Sequence, residues 1–181
     1  MSLSDEPYVS HRKNLKLVGY ECVVVDDSRT DLTDDQKSLI DYFASRTQGK
    51  RLASRADLNP SEITSYLPSI ILFDLKLGDD SKIEDIIVRL VGTAAADFYG
   101  EYTGYSLFDP IFDDSLKEAR DRLVSEAELV IKERKAITTF TEQLVADSPS
   151  VKLNTLKIPF AKNGTDIDML FMYLEVSSLK S

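Results

Sequence analysis

The fold is decided by residues 136–176, with the sequence AITTFTEQLVADSPSVKLNTLKIPFAKNGTDIDMLFMYLEV. The pattern here has a period of two, which predicts three strands at residues 136–145, 151–160 and 167–176. Asn163-Gly164 lies between the last two segments and is the dipeptide most typical of a tight hairpin. Three strands in succession, joined by hairpins, predict an antiparallel sheet.

The last of these strands is apolar on both faces. Its alternating side chains are Ile167, Met169, Phe171 and Tyr173 on one side and Leu170, Met172, Leu174 and Val176 on the other. A strand with two apolar faces is covered by other elements on both sides. We therefore expect residues 167–176 to form a central strand.

The elements upstream complete an α+β pattern. Residues 113–134 carry an apolar stripe at helical spacing, which predicts the longest helix of the chain. A short alanine-rich segment at residues 93–99 predicts another helix. Before it, the β-rich segments 70–77 and 86–91 predict an antiparallel pair. Two strands, then helices, then three more strands are typical of the α+β class.

The N-terminal part adds one amphipathic helix. Thr33 and Gln36 form a capping box, and apolar residues follow at helical spacing. Asn59-Pro60 predicts the start of a second, short helix that Pro68 stops. Residues 20–25 are rich in β-branched side chains and predict an extended lead-in. We expect an N-terminal extension at residues 1–31, the amphipathic helix at 32–49 and one α+β domain at 50–178.

Composition limits the partners and the compartment. The chain has 181 residues and a net charge of −9 with no stripe of Lys or Arg, which argues against a nucleic-acid partner. The longest apolar run, residues 169–174, is far below the ~18 residues of a membrane span. A lone cysteine, Cys22, excludes an internal disulfide, and no leader opens the chain, so we expect a cytoplasmic protein without a membrane partner.

Short motifs occur in order along the middle of the chain. They are Ser54-Arg55-Ala56-Asp57-Leu58-Asn59-Pro60, Tyr66-Leu67-Pro68, Phe73-Asp74, Arg89-Leu90-Val91-Gly92-Thr93, Phe98-Tyr99-Gly100 and Tyr102-Thr103-Gly104. With these motifs and this order of elements, residues 50–175 resemble the PAS_5 family of bacterial PAS domains. The resemblance implies a five-stranded antiparallel sheet with helices on one face, to which the N-terminal amphipathic helix is added. It implies a sensory or protein-docking role and no catalytic residue.

Several motif positions have structural explanations. These positions are Arg55, Asp57, Pro60, Gly92, Thr93, Gly100, Thr103 and Gly104. We expect the glycines to lie where the backbone has positive φ or packs closely. We expect Thr93 to cap the helix that follows it, and Arg55 and Asp57 to tie their loop to the sheet.

The candidate ligand pocket lies beneath an aromatic connector. The aromatic residues are Phe98, Tyr99, Tyr102, Tyr105, Phe108 and Phe112. Apolar walls with a few hydroxyls are typical of small-molecule pockets, although the same rings also suit a filled core. Leu156 and Phe171 complete the predicted walls. Arg89 either meets an anionic ligand or pairs with Asp74 or Glu101, and we expect a pocket of roughly 300 Å³ or more.

These observations favour a signalling module that binds a small molecule, a protein partner or both. A ligand-free adaptor is one alternative. Another is an acid/base enzyme, in which Asp97, Asp109 and Tyr105 would act inside a cone-shaped α+β pocket. Because the chain has one histidine, His11, and one cysteine, no metal site or cofactor is predicted. We expect no enzyme activity, and we expect a homodimer formed through the helix at residues 33–47.

Overall fold

The structure, a computed structural model, describes residues 15–110, 114–145 and 148–178. Six strands in this part form one antiparallel sheet: β1 (Leu15–Val24), β2 (Ile70–Leu77), β3 (Ile83–Val91), β4 (Ile137–Val145), β5 (Ser148–Phe160) and β6 (Met169–Ser178). The helices are α1 (Asp34–Thr47), α2 (Thr93–Tyr99) and α3 (Asp114–Glu133). The strand order is β1-β4-β5-β6-β2-β3. Among the described residues, no helix is both long and apolar enough to cross a membrane.

The α+β class and the antiparallel sheet are confirmed, but the predicted number of five strands is wrong. The sixth strand is β1, which was expected only as an extended lead-in at residues 20–25. It pairs antiparallel with β4, from Leu15 opposite Val145 to Val24 opposite Ile137. Because its partner lies more than a hundred residues away in the chain, local periodicity contains no information about this pairing.

The side chains of β6 divide the core into two layers. Leu170, Met172 and Leu174 pack on the side of α2 and α3, whereas Phe171 and Tyr173 pack on the side of α1. β6 lies between β5 and β2. The prediction of a central strand that is covered on both faces is therefore confirmed.

Helix α1 covers the second face of the sheet. Its capping box is present, with Thr33 accepting from the N–H of Gln36 and the Gln36 side chain accepting from the N–H of Thr33. Phe43 is buried, and its ring lies 5.0 Å from Phe160 and 5.1 Å from Phe171, centroid to centroid. The apolar face of α1 is thus occupied by its own sheet. This removes the observation that favoured a homodimer through α1, and the homodimer itself stays a prediction.

The predicted second helix is instead a series of single 3₁₀ turns, at Arg55–Asp57, Pro60–Glu62 and Leu67–Ser69. Asn59 caps the middle turn by accepting from the N–H of Ser61, with Pro60 in the first position. Pro68 lies inside the third turn, so the prediction that it stops a helix is wrong. Proline is tolerated there because the first residues of a turn donate no internal hydrogen bond.

The start of α2 corrects one motif position. Gly92 is the N-cap residue and Thr93 is the first helical residue, so the prediction that Thr93 caps this helix is wrong. A Cβ atom on Gly92 would lie 2.2 Å from the carbonyl oxygen of Leu67, which leaves room only for glycine. Gly100 and Gly104 have φ angles of 104° and 89°, which glycine adopts without strain.

Candidate functional site

The face of β4 and β5 that packs toward α3 carries buried polar side chains. We call this set the polar floor: Thr139, Thr141, Gln143, Thr155 and Lys157. Alternation along the strands explains it, because residues two apart point to the same face. Ile137 and Leu153 share this face and belong to the core beneath α3. Buried polar groups cost stability unless they are hydrogen-bonded, so their partners determine what this surface does.

Lys157 is the charged centre of the polar floor. Its side chain is 3% exposed and lies opposite Glu126 of α3, which is 7% exposed, with Nζ 2.9 Å from Glu126 Oε2. The ammonium also donates to Thr155 Oγ1 at 2.5 Å and to Thr139 Oγ1 at 3.2 Å. Each of its three protons therefore has an acceptor, which is the condition under which a buried ion pair is tolerated.

Strand β1 reaches the same pair through Tyr20. The Tyr20 hydroxyl donates to Glu126 Oε1 at 2.9 Å, so both oxygens of this carboxylate are engaged. Burial and the neighbouring Glu126 charge raise the pKa of Tyr20 above its usual range, which keeps the phenol a donor. Burial also raises the pKa of the Cys22 thiol, two residues along β1.

A cavity of about 160 Å³ lies between the polar floor and α3. Its helical wall contains Ala119, Arg120, Arg122, Leu123 and Glu126. Its apolar wall includes Ile71, Phe73, Val88, Val91, Leu153 and Met172. The connector contributes Tyr99, Gly100, Tyr102 and Leu107. An engineered protein cavity of about 150 Å³ holds benzene, so this space suits a molecule of about that size.

Two polar groups of the lining have no partner in the described part of the chain. Gln143 is 8% exposed, and its buried Oε1 accepts no hydrogen bond there. Arg122 is half-buried and has no ion-pair partner among the same residues. Arg120, in contrast, pairs with Asp121 at 3.3 Å and lies over the Phe108 ring. The residues that line the cavity thus include one with an unpartnered acceptor and one cation without an ion-pair partner among the described residues.

Only some of the connector residues that were predicted to line a pocket line this cavity. Tyr99 and Tyr102 line it. Phe98 is buried in the core beside Tyr99 and does not line it. Tyr105 and Phe108 are exposed and do not line it either. Phe112 lies outside the described residues.

The connector forms hydrogen bonds with the edge of the sheet at β3. The Val88 N–H donates to the carbonyl of Tyr105, and the N–H of Leu107 donates to the carbonyl of Ile86. The connector therefore runs along β3 as an additional edge segment. Tyr105 is directed outward while Leu107 reaches the cavity.

Leu156 and Phe171 lie on the opposite face of the sheet, in the layer covered by α1. They therefore do not line this cavity. Because neighbouring residues in a strand point to opposite faces, Lys157 and Met172 reach the cavity in their place.

Arg89 lies outside the cavity. Its side chain is 67% exposed, and its guanidinium is 3.7 Å from the Asp74 carboxylate. Of the roles considered for Arg89, the structure contains the ion pair with Asp74. The other charged candidates, Asp97 and Asp109, are exposed and do not line the cavity. Asp97 lines a second pocket together with Phe98 and Leu174, so the acid/base alternative stays a prediction.

The loop before the 3₁₀ turns is organised by Asp57. Its carboxylate accepts two bonds from Arg51 and two from the N–H and hydroxyl of Ser54. The Arg51 guanidinium and the Ser54 donors hold the pKa of Asp57 well below its usual range. Ala53 joins this loop to the sheet by accepting from the N–H of Ala161.

The remaining motif positions make only local contacts. Arg55 donates to the carbonyl of Leu58 at 3.4 Å and makes no hydrogen bond to the sheet within the described residues. Thr103 is exposed, and its N–H donates to the Glu101 carboxylate.

Sequence reasoning missed the polar residues that form the site: Arg122, Glu126, Gln143 and Lys157. One signal pointed to Lys157, which lies between Leu156 and Ile158 in the middle strand of the predicted hairpin series. A strand with neighbours on both sides has no solvated face when both faces are covered, so a lysine there must be buried. Within the described residues, no group of three or more His, Cys, Asp or Glu side chains is arranged to hold a metal ion.

Comparison with protein families gives one match. The PAS_5 family model, described as a PAS domain, matches residues 33–174, from the cap of α1 into β6. No curated protein and no solved structure matched the chain. The matched part contains the cavity and the polar floor, whereas β1 precedes it. The chain therefore belongs to the PAS_5 family of PAS domains.

Proposed function

We propose that this chain is a sensory PAS module that binds a small molecule in the cavity above the polar floor. The observation that carries the proposal is a cavity of about 160 Å³ lined by Gln143, whose buried Oε1 has no hydrogen-bond partner among the described residues. A buried acceptor without a partner costs roughly 1–3 kcal/mol, and a ligand donor removes that cost. In this proposal the module acts on a signalling protein partner.

The polar floor supports a ligand site over a filled core. Apolar side chains of similar volume at Lys157 and Glu126 would cost the fold little stability, since buried ion pairs seldom add net stability. Their presence beside an open cavity suits the recognition of a molecule with polar groups. The cavity is smaller than the predicted ~300 Å³, which narrows the ligand to a small one.

The hydrogen bonding of the Glu126 carboxylate supports binding over catalysis. A general base needs an oxygen that is free to take a proton. Both oxygens of Glu126 are engaged, one by Lys157 and one by Tyr20. We therefore propose a receptor for a small molecule, not a catalyst that acts on it.

Filling the cavity tests the proposal. Ala119→Phe places a ring in the cavity, and Ala44→Phe makes the same change at an exposed position of α1. A library of small polar fragments is screened for molecules that raise the melting temperature. We expect binders that stabilise the wild type and Ala44→Phe but not Ala119→Phe. A library without binders, or binders that stabilise Ala119→Phe equally, would contradict the proposal.

A further inference from the structure

The unused polar groups of the cavity lie on two different elements. Gln143 Oε1 is an acceptor on β4, and Arg122 is a cation on α3. Lys157 and Glu126 are not free to bind a ligand in this way. They pair with each other and also form hydrogen bonds with neighbouring side chains. A ligand therefore gains most from one group that matches Arg122 and another that matches Gln143.

The charges of the lining favour an anion. Arg120, Arg122 and Lys157 line the cavity together with a single carboxylate, that of Glu126, although the whole chain has a net charge of −9. Glu126 neutralises Lys157, and Asp121 pairs with Arg120. The charge of Arg122 is left without compensation in the described part of the chain. A guanidinium binds a carboxylate by two parallel hydrogen bonds, which makes a carboxylate its best small partner.

The rest of the cavity favours an apolar body with one donor. Phe73, Leu153 and Met172 are part of the apolar wall, and the volume of about 160 Å³ is that of a ring-sized molecule. Gln143 Oε1 can only accept, so the matching ligand group carries an O–H or N–H.

Accepting the proposed function, we infer that the ligand is a small organic acid with a ring-sized apolar body. Its carboxylate meets Arg122, and a hydroxyl or amino group donates to Gln143 Oε1. Neither the acid group nor the donor alone satisfies both unused groups of the cavity. Both are therefore needed for tight binding.

Four probes separate these features: 3-hydroxybenzoate, 4-hydroxybenzoate, benzoate and phenol. Affinities are measured by titration calorimetry at concentrations up to about 10 mM, which detects even weak binding. We expect one hydroxybenzoate isomer to bind about tenfold or more tightly than benzoate or phenol, because each of these lacks one hydrogen-bonded group.

Two variants assign the groups to residues. Arg122→Gln is expected to weaken binding of the acids about tenfold or more and to leave phenol unchanged. Gln143→Leu is expected to weaken binding of phenol and the hydroxybenzoate and to leave benzoate unchanged. Arg89→Gln, which removes an exposed arginine outside the cavity, is the matched control and should change none of the affinities.

The wild type gives an independent readout if a variant does not fold. Added salt should weaken binding of the acids but not of phenol, because salt screens charge pairs. Acids that bind without loss in Arg122→Gln and without salt dependence overturn the inference. Binding of phenol alone also overturns the inference, and so does binding only of unrelated fragments that Ala119→Phe excludes. In both cases the proposed function still stands. If no small molecule binds, both are wrong.

Discussion

Lys157 Nζ lies 2.9 Å from Glu126 Oε2, and this ion pair joins the middle of the sheet to α3 beneath the cavity. Tyr20 of β1 donates to the other oxygen of the same carboxylate. One buried carboxylate therefore connects the helix, the polar floor and the strand that precedes the family domain. A substitution at Lys157 or Glu126 therefore alters contacts of all three elements.

Removing one member of the pair should be costly. Lys157→Met or Glu126→Leu alone leaves an uncompensated buried charge, and we expect each to reduce the free energy of unfolding by about 3–5 kcal/mol. The free energy of unfolding of the double variant should fall much less, because both members of the pair are replaced by apolar side chains. Urea unfolding of the four proteins measures this cycle. Lys132→Met, at an exposed lysine of α3, is the control. Single losses below about 1 kcal/mol would show that the pair is not desolvated.

The layer beneath α1 depends on Phe171. Its side chain is fully buried and stacks on Phe160 with a centroid distance of 5.5 Å. We expect Phe171→Ala to reduce the free energy of unfolding by about 3–5 kcal/mol. Val176→Ala, at an exposed position of the same strand, should change it by less than about 0.5 kcal/mol. Equal effects of the two changes in chemical denaturation would contradict the central position of β6.

Asp57 should make the stability fall in acid. The pKa of its carboxyl is lowered in the folded chain from an ordinary value of 3.8, so its contribution is complete above that pH and is lost as pH falls further. Asp57→Asn should therefore reduce the free energy of unfolding by about 1.5–3 kcal/mol near pH 7. The difference from the wild type should shrink as the pH drops below 3.8. If the urea midpoints of the wild type and Asp57→Asn differ by the same amount at every pH, this ionic origin is excluded.

Glu175 should have the opposite pH dependence. Its Oε2 is buried without a hydrogen-bond partner among the described residues, while Thr33 donates to Oε1. Burial raises the pKa of Glu175 from its ordinary value of 4.5. Folding then favours the protonated carboxyl, so this contribution is present below pH 4.5 and is lost as pH rises through the raised pKa.

Glu175→Gln tests this dependence. The variant should be more stable than the wild type near neutral pH, and the two should converge in acid. Urea midpoints of both proteins across this pH range measure the difference. Glu21→Gln, at an exposed site of β1, is the matched control. A Glu175→Gln variant that is less stable than the wild type near neutral pH would show that the Thr33 hydrogen bond outweighs the burial of the charge.

Local patterns predicted the elements whose causes are local. The capping box of Thr33 and Gln36 predicted the start of α1, and alternation of apolar side chains predicted that β6 is covered twice. Both features depend on residues that are close in the chain. The pairing of β1 with β4 joins residues far apart, and nothing within residues 15–24 distinguishes an edge strand from an extended lead-in.

The candidate site shows where sequence reasoning reaches its limit. Aromatic residues of the connector were expected to face a pocket, yet Tyr105 and Phe108 are exposed, and Leu107 reaches the cavity from the same segment. A shift of one residue decided between Leu156 and Lys157, because successive side chains of a strand point to opposite faces. Which face meets the cavity depends on the helix that packs there.

The sequence by itself determined the α+β class, the positions of α1, α2 and α3, the central strand and the membership in the PAS_5 family. Each of these follows from hydrophobic periodicity, capping residues or short motifs, all of which are written within a few residues. Only the tertiary structure decided that Lys157 meets Glu126 and that Gln143 Oε1 has no donor among the described residues. Those contacts depend on how α3 lies across β4 and β5. Packing between distant elements determines that geometry, and the packing energy is shared among many side chains that no single motif contains.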